Sequence, residues 1–151
     1  MTSLETFSIQ PRMAAGQLAP EVYRAMAAFD RSIELDPQLR ELVKIRASQL
    51  NGCAYCLDLH TRDARAAGEG ERRLATLAGW HESPFFTEQE RAALALTDAV
   101  TRLGEHGVPD DVWDTAALHF EPPELAQLLW AIVAINAWNR MGVATRLQPQ
   151  P

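Results

Sequence analysis

The chain is short of bases, has almost no cysteine and lacks any long apolar run, and each shortage excludes a class of function. Fourteen bases face twenty acids, for a formal net charge of −6, and the only adjacent pair of bases is Arg72 and Arg73. Without a basic patch, nucleic acid is not an expected partner. No stretch reaches the roughly eighteen apolar residues of a membrane span; the best candidate, 125–138, is interrupted by Gln127 and Asn136. Residues 1–13 have neither the basic start nor the apolar run of a secretory signal, so a cytoplasmic location is expected. Only two cysteines occur, Cys53 and Cys56. A disulfide between them would close almost no loop and would staple nothing. In a reducing compartment such a pair points to redox or metal chemistry.

What is present suits one folded domain. A chain of 151 residues, 47% hydrophobic and 23% charged, can bury a core and is not disordered. No period-2 alternation persists, and the apolar residues recur at helical spacing, so the expected class is all-α with six to seven helices. Residues 1–19 read as an extended or partly ordered arm, 20–145 as the helical domain and 146–151 as a frayed tail. Within the domain, Val22, Met26, Phe29 and Ile33 mark a helix over 20–35. Asp36-Pro37 opens the next, over 37–50, with Leu39, Leu42, Val43, Ala47 and Leu50 on its buried stripe. Asn51-Gly52 breaks it, and a helix over 53–67 follows, stopped by Gly68. Shorter helices are expected over 70–78 and 109–119. Thr87-Glu88-Gln89-Glu90 has capping-box spacing and opens a helix to about residue 103. Pro122-Pro123 starts the last and most apolar helix, through Met141 to a stop at Gly142.

The chemistry gathers on the helix over 53–67. At about 100° per residue, Cys53, Cys56 and His60 share one face. Cys53 lies at the helix start, where free N–H groups and the dipole favour a thiolate. His60 is one turn beyond Cys56 and can take its proton, directly or through water. An activated thiolate beside a second thiol supports reversible peroxide or disulfide chemistry, one sulfur attacking and the other resolving. A histidine base needs an orienting carboxylate, and Glu41 on the preceding helix can supply it, unless that side chain is simply solvated. Position makes Cys53 the more acidic thiol and the base favours Cys56; the attacking role is given to Cys56.

Glu41, Cys53-x-x-Cys56 and His60, set among Val43-Lys44-Ile45-Arg46-Ala47-Ser48 and Cys56-Leu57-Asp58-Leu59-His60, resemble the signature of the AhpD-like alkylhydroperoxidase branch of the carboxymuconolactone decarboxylase family. The segment Asn136-Ala137-Trp138-Asn139-Arg140 also resembles one common in that family, and the likeness spans roughly 20–145. The resemblance implies an all-α fold assembled as trimers or hexamers, and a thiol peroxidase without metal, haem or flavin. It implies that Cys56 is the peroxidatic sulfur, that Cys53 resolves it as a disulfide, and that Glu41, His60 and water relay the proton. It further implies reduction by an external dithiol, a lipoyl-bearing protein in the best-described members. Tyr55 departs from members that carry a second histidine between the cysteines, and it is a poorer proton acceptor.

Four alternatives stand beside this reading, one of them a non-catalytic oligomeric protein that keeps the fold, against which the complete four-residue set argues. Zinc on Cys53, Cys56, His60 and Glu41 would lack the second paired ligand set usual in structural sites. A thiol–disulfide oxidoreductase with little peroxidase activity would use the same residues. Lactone decarboxylation carries the family name, but no separate acid–base site is evident for it. His81, His106 and His119 read as loop or cap residues, and Trp113, Trp130 and Trp138 as core or subunit interface. Asn136 and Arg140, one turn apart, read as structural hydrogen bonding or an intersubunit pair, with a pocket role as the lesser alternative.

Overall fold

Among the described residues, 7–151 of the computed structural model, the chain forms eight α-helices and no strand. They are α1 (Ala15–Leu18), α2 (Pro20–Ser32), α3 (Pro37–Asn51), α4 (Ala54–Ala66), α5 (Glu71–Thr76), α6 (Glu88–Thr101), α7 (Asp110–His119) and α8 (Pro122–Thr145), with a 3-10 turn at Leu77–Gly79. Local chemistry sets their ends. Asp36 accepts a bond from the Leu39 N–H and Pro37 takes the first helical position of α3. Thr87 and Glu90 form the reciprocal capping box that opens α6. Gly52, at φ 68°, closes α3 in the left-handed region, where a side chain would be strained. That turn is short enough to lay α4 back against α3.

The helix α3 is the central rod, packed against α4, α6 and α8. Its residues Leu42, Val43, Ile45 and Ala47 are buried in clusters with Leu94, Leu96, Leu128, Ile132 and Ile135. Each fully buried Leu or Ile contributes about 1.5–3 kcal/mol, so α3 anchors much of the core. A single apolar stripe was expected on it, yet residues 41–48 are buried all round, while Leu50 is only half-buried. Three charged residues are therefore carried inside, and each has a partner. Lys44 donates to Asp30 at 3.0 and 3.2 Å, and Arg46 grips Asp98 with bonds of 2.7 and 3.1 Å. Glu41 meets His60. Unpaired, each would cost several kcal/mol.

Other expectations change. Gly142 does not stop α8: the helix continues to Thr145, and Arg146 at φ 55° ends it, with the Leu147 N–H donating to the Gly142 carbonyl at 2.9 Å. The helix over 20–35 ends at Ser32, and Val22 faces outward while Ile33 is buried. The arm contains one helical turn, α1, and Arg12 ties it to the end of α8 through the Thr145 and Ala144 carbonyls at 2.8 and 3.0 Å. Its first six residues lie outside the described ones. Trp113 and Trp130 are not core residues, being 40% and 54% exposed. Trp130 instead meets Phe29 edge-on, and Trp138 meets Tyr23 likewise, holding α2 on α8. No helix of the described residues is long and apolar enough to cross a membrane.

Candidate functional site

The turn at Asn51-Gly52 places Cys53 as the N-cap of α4, with Cys56 three residues on and His60 one turn further. All three are buried on the side of α4 that faces the interior. Across from them, Glu41 on α3 is only 7% exposed and His60 8%. His60 Nδ1 lies 2.9 Å from Glu41 Oε2, so the carboxylate holds that nitrogen and leaves Nε2 for exchange. The solvated reading of Glu41 fails because α4 covers it. Arg40 Nε stands 3.8 Å from the other carboxylate oxygen.

The sulfurs of Cys53 and Cys56 are free and 2.7 Å apart. They share one hydrogen-bonded proton, and their acidities split around it. The hydrogen bond from Cys56 brings Cys53 down to about 6, against the effect of burial. The backbone N–H of Cys56, the Asn139 amide and the charge of His60 act in the same direction. The same sulfur–sulfur bond, with burial, pushes Cys56 far up. At neutral pH the pair therefore carries one negative charge, resting on Cys53. The sequence attributed acidity at Cys53 to the helix start; the neighbouring thiol is the larger cause.

The walls of the site come from α3, α4 and α8. Cys53 and Cys56 pack with Ala47 and Ile135, and half-buried Tyr55 and Trp138 lie against that cluster. Tyr55 is thus beside the sulfurs as a packing side chain. The donor atoms of Glu41, His60 and Asp63 lie within 4.8 Å of one another, and that group does not include either sulfur. The four-residue zinc set considered from the sequence is not the grouping that forms. His81 stacks on Trp80 at a centroid distance of 3.7 Å, and exposed His106 has only its neighbour Glu105, at 4.0 Å, for a carboxylate. Neither joins the site.

Three residues of the site were not found from the sequence. Asn139 on α8 is fully buried, and its carboxamide acts to lower the pKa of both thiols. Ser48 on α3, also fully buried, accepts from Asn139 at 2.9 Å. Gly142 lets α8 approach: a Cβ there would stand 2.8 Å from the Cys53 sulfur and 3.9 Å from that of Cys56. The available signal for Asn139 was a carboxamide inside an apolar helix, which must find partners there.

The chain as a whole has relatives. The carboxymuconolactone decarboxylase family model matches residues 20–99. An uncharacterised Bacillus subtilis protein, YdfG, is 37% identical over 136 residues, covering 88% of this chain and 92% of its own. The uncharacterised Escherichia coli protein YnjA is 32% identical over 117 residues, covering 77% of this chain and 63% of its own. A crystal structure from Agrobacterium tumefaciens superposes with a TM-score of 0.90 at 39% identity, covering 94% and 99% of the two chains. That protein is of unknown function and provisionally assigned to AhpD-type antioxidant defence. The debrominase Bmp8 shares the fold at a TM-score of 0.78 and 20% identity, over 89% of this chain and 74% of its own.

Proposed function

We propose that this chain, which belongs to the carboxymuconolactone decarboxylase family and to its AhpD-like branch, is a thiol-dependent peroxidase using Cys56, Cys53, His60 and Glu41. The observation that carries the reading is the burial, in one place, of a dithiol with a lowered thiol pKa and an imidazole held by a carboxylate. The provisional antioxidant assignment of the Agrobacterium relative supports it.

The sulfurs divide the work. Cys53 stands closer than Cys56 to the backbone of α8 at Gly142, and Cys56 precedes His60 by one turn, so Cys56 attacks. The shared proton moves from Cys56 to Cys53, leaving the charge on Cys56. That thiolate attacks the terminal peroxide oxygen; an S–O bond forms, the O–O bond breaks, and the alkoxide takes a proton from protonated His60. Cys56 is now a sulfenic acid, oxidised by two electrons, and the hydroperoxide is reduced to an alcohol. Neutral His60, oriented by Glu41, then removes the Cys53 proton, and Cys53 displaces hydroxide from Cys56, which leaves as water with that proton. An external dithiol, such as a lipoyl group, returns the two electrons. The exposed apolar residues Trp130, Val133 and Met141 of α8 and Val22 and Tyr23 of α2 support a homo-oligomer; its size, trimer or hexamer, and its cytoplasmic setting are part of the proposal.

Single-cysteine variants test this. With a dithiol reductant present, Cys56→Ser is expected to abolish hydroperoxide consumption. Cys53→Ser is expected to retain one stoichiometric sulfenic acid on Cys56, trapped by a dimedone-type reagent and located by mass. Turnover that persists in Cys56→Ser overturns the proposal. Wild-type protein that reduces small disulfides but not hydroperoxides would instead be a disulfide oxidoreductase. Carbon dioxide release from a carboxylated lactone after alkylation of both thiols would mark a decarboxylase.

A further inference from the structure

A chain of amides runs from the surface toward the thiol pair, and its polarity is fixed from both ends. Exposed Arg140, which can only donate, gives a bond of 2.9 Å to Asn136 Oδ1. The Ile132 carbonyl, which can only accept, takes one from Asn136 Nδ2 at 2.9 Å. Asn136 therefore presents its oxygen to Asn51, and Asn51 must donate. Its Nδ2 does so twice, to Asn136 Oδ1 and to Asn139 Oδ1, both at 2.9 Å. On the far side, the Ser48 hydroxyl gives its proton to the Lys44 carbonyl at 2.7 Å, so toward Asn139 it can only accept. Asn139 Nδ2 meets that demand at 2.9 Å. One amide orientation satisfies every partner. The second N–H of Asn139 is left over, and Asn139 is one turn from Gly142 on the same face of α8, the face that touches the Cys53 sulfur.

From this arrangement we infer that Asn139 is a fixed hydrogen-bond donor to the anionic sulfur pair, and that Ser48, Asn51, Asn136 and Arg140 are positioning residues that prevent its amide from turning its oxygen toward the thiolate. A free asparagine would present either end. A carbonyl oxygen facing an anion repels it, whereas an N–H stabilises it. Asn139 lowers the pKa of both cysteines, in keeping with a donor set toward the pair. The titratable groups acting on Cys53 are Cys56 and His60, both on α4, so Asn139 supplies the neutral, pH-independent part of the stabilisation from α8. The inference deepens the peroxidase reading, since it concerns the same sulfurs, but it speaks to thiolate formation and needs no peroxide.

The test is the pH profile of iodoacetamide alkylation of the reduced protein, followed by mass at Cys53 and Cys56. Wild type is expected to show one reactive thiol titrating at about 6. Asn139→Leu, nearly equal in size but without a donor, should move that midpoint toward the ordinary thiol range and slow alkylation at pH 6.5 by about tenfold. Ser48→Ala keeps Asn139 but removes the acceptor that orients it, and should slow alkylation by about threefold. A folded Asn139→Leu protein with an unmoved midpoint overturns the inference. Where Asn139→Leu does not fold, an unmoved midpoint in Ser48→Ala overturns it. A shifted midpoint in a protein that never consumes hydroperoxide would leave this inference standing and remove the peroxidase reading.

Discussion

Two of the polar clusters inside this molecule, around Arg73 and around Cys53, are built from different kinds of charge. Around Arg73, the guanidinium bonds Glu69 at 2.6 Å, the Phe85 carbonyl at 2.6 Å, and Glu90. Burial works against the Glu90 carboxylate, yet Arg73 and Thr87 together hold Glu90 below the usual range, while Glu90 in turn raises Arg73. Around Cys53 the partners are a thiol, an imidazole and a carboxamide. With Arg73 raised and Glu90 lowered, that pair stays charged at neutral pH and serves to hold α5 against α6. The second cluster holds its shape through neutral amides around a thiol brought down to about 6. Burial alone does not mark a functional site; burial of groups that exchange protons does.

The comparison is broken most directly by removing the carboxylate from the thiol cluster. Glu41→Gln keeps the size and can still accept from His60, but it withdraws the negative charge that supports a protonated imidazole. Hydroperoxide consumption at saturating reductant is expected to fall by about 100-fold, with the circular dichroism spectrum unchanged. A variant as active as wild type would make Glu41 a packing residue like those around Arg73. The reciprocal change, Arg73→Met, leaves the nearly buried Glu69 carboxylate without its cation. A fully buried pair so broken costs about 3–5 kcal/mol. Arg73 is 26% exposed, so about 2 kcal/mol is expected by urea unfolding. Alkylation of Cys53 should keep its midpoint. A shift there would mean that the two clusters are coupled.

Legibility followed the range of the interaction. The Asp36-Pro37 start, the Thr87–Glu90 capping box and the turn at Gly52 are local, and sequence reading places them where they occur. The shared face of Cys53, Cys56 and His60 is likewise helical arithmetic. The burial of Glu41 was not legible, because it depends on how α4 is laid across α3. Asn139 and Gly142 stand more than eighty residues from Cys53 in the chain, and no local rule links them to it. Gly142 read as a helix stop because glycine so often ends one. Here close approach to a sulfur outweighs the helical cost of glycine, and the stop comes four residues later at Arg146. Trp130 read as core or interface, and only its exposure separates the two.

Gly142→Ala is the smallest and sharpest test of the contrast. In an open helix the change would gain about 1 kcal/mol, since alanine is the better helix former. Here the new methyl would stand 2.8 Å from the Cys53 sulfur, closer than carbon and sulfur settle, so α8 or the thiol must move. Overpacking of that kind costs about 1–3 kcal/mol, leaving a net loss of about 1 kcal/mol in urea unfolding. Gly79→Ala serves as the control, because a Cβ there meets nothing within 4 Å. The displacement should also separate the sulfurs, so the Cys53 alkylation midpoint should rise above about 6 as its hydrogen bond from Cys56 weakens. The Arg73 cluster offers no such lever, since its charges keep their protonation states across that pH range. A stabilised Gly142→Ala protein with an unmoved midpoint would show that α8 does not press on the thiol pair at all.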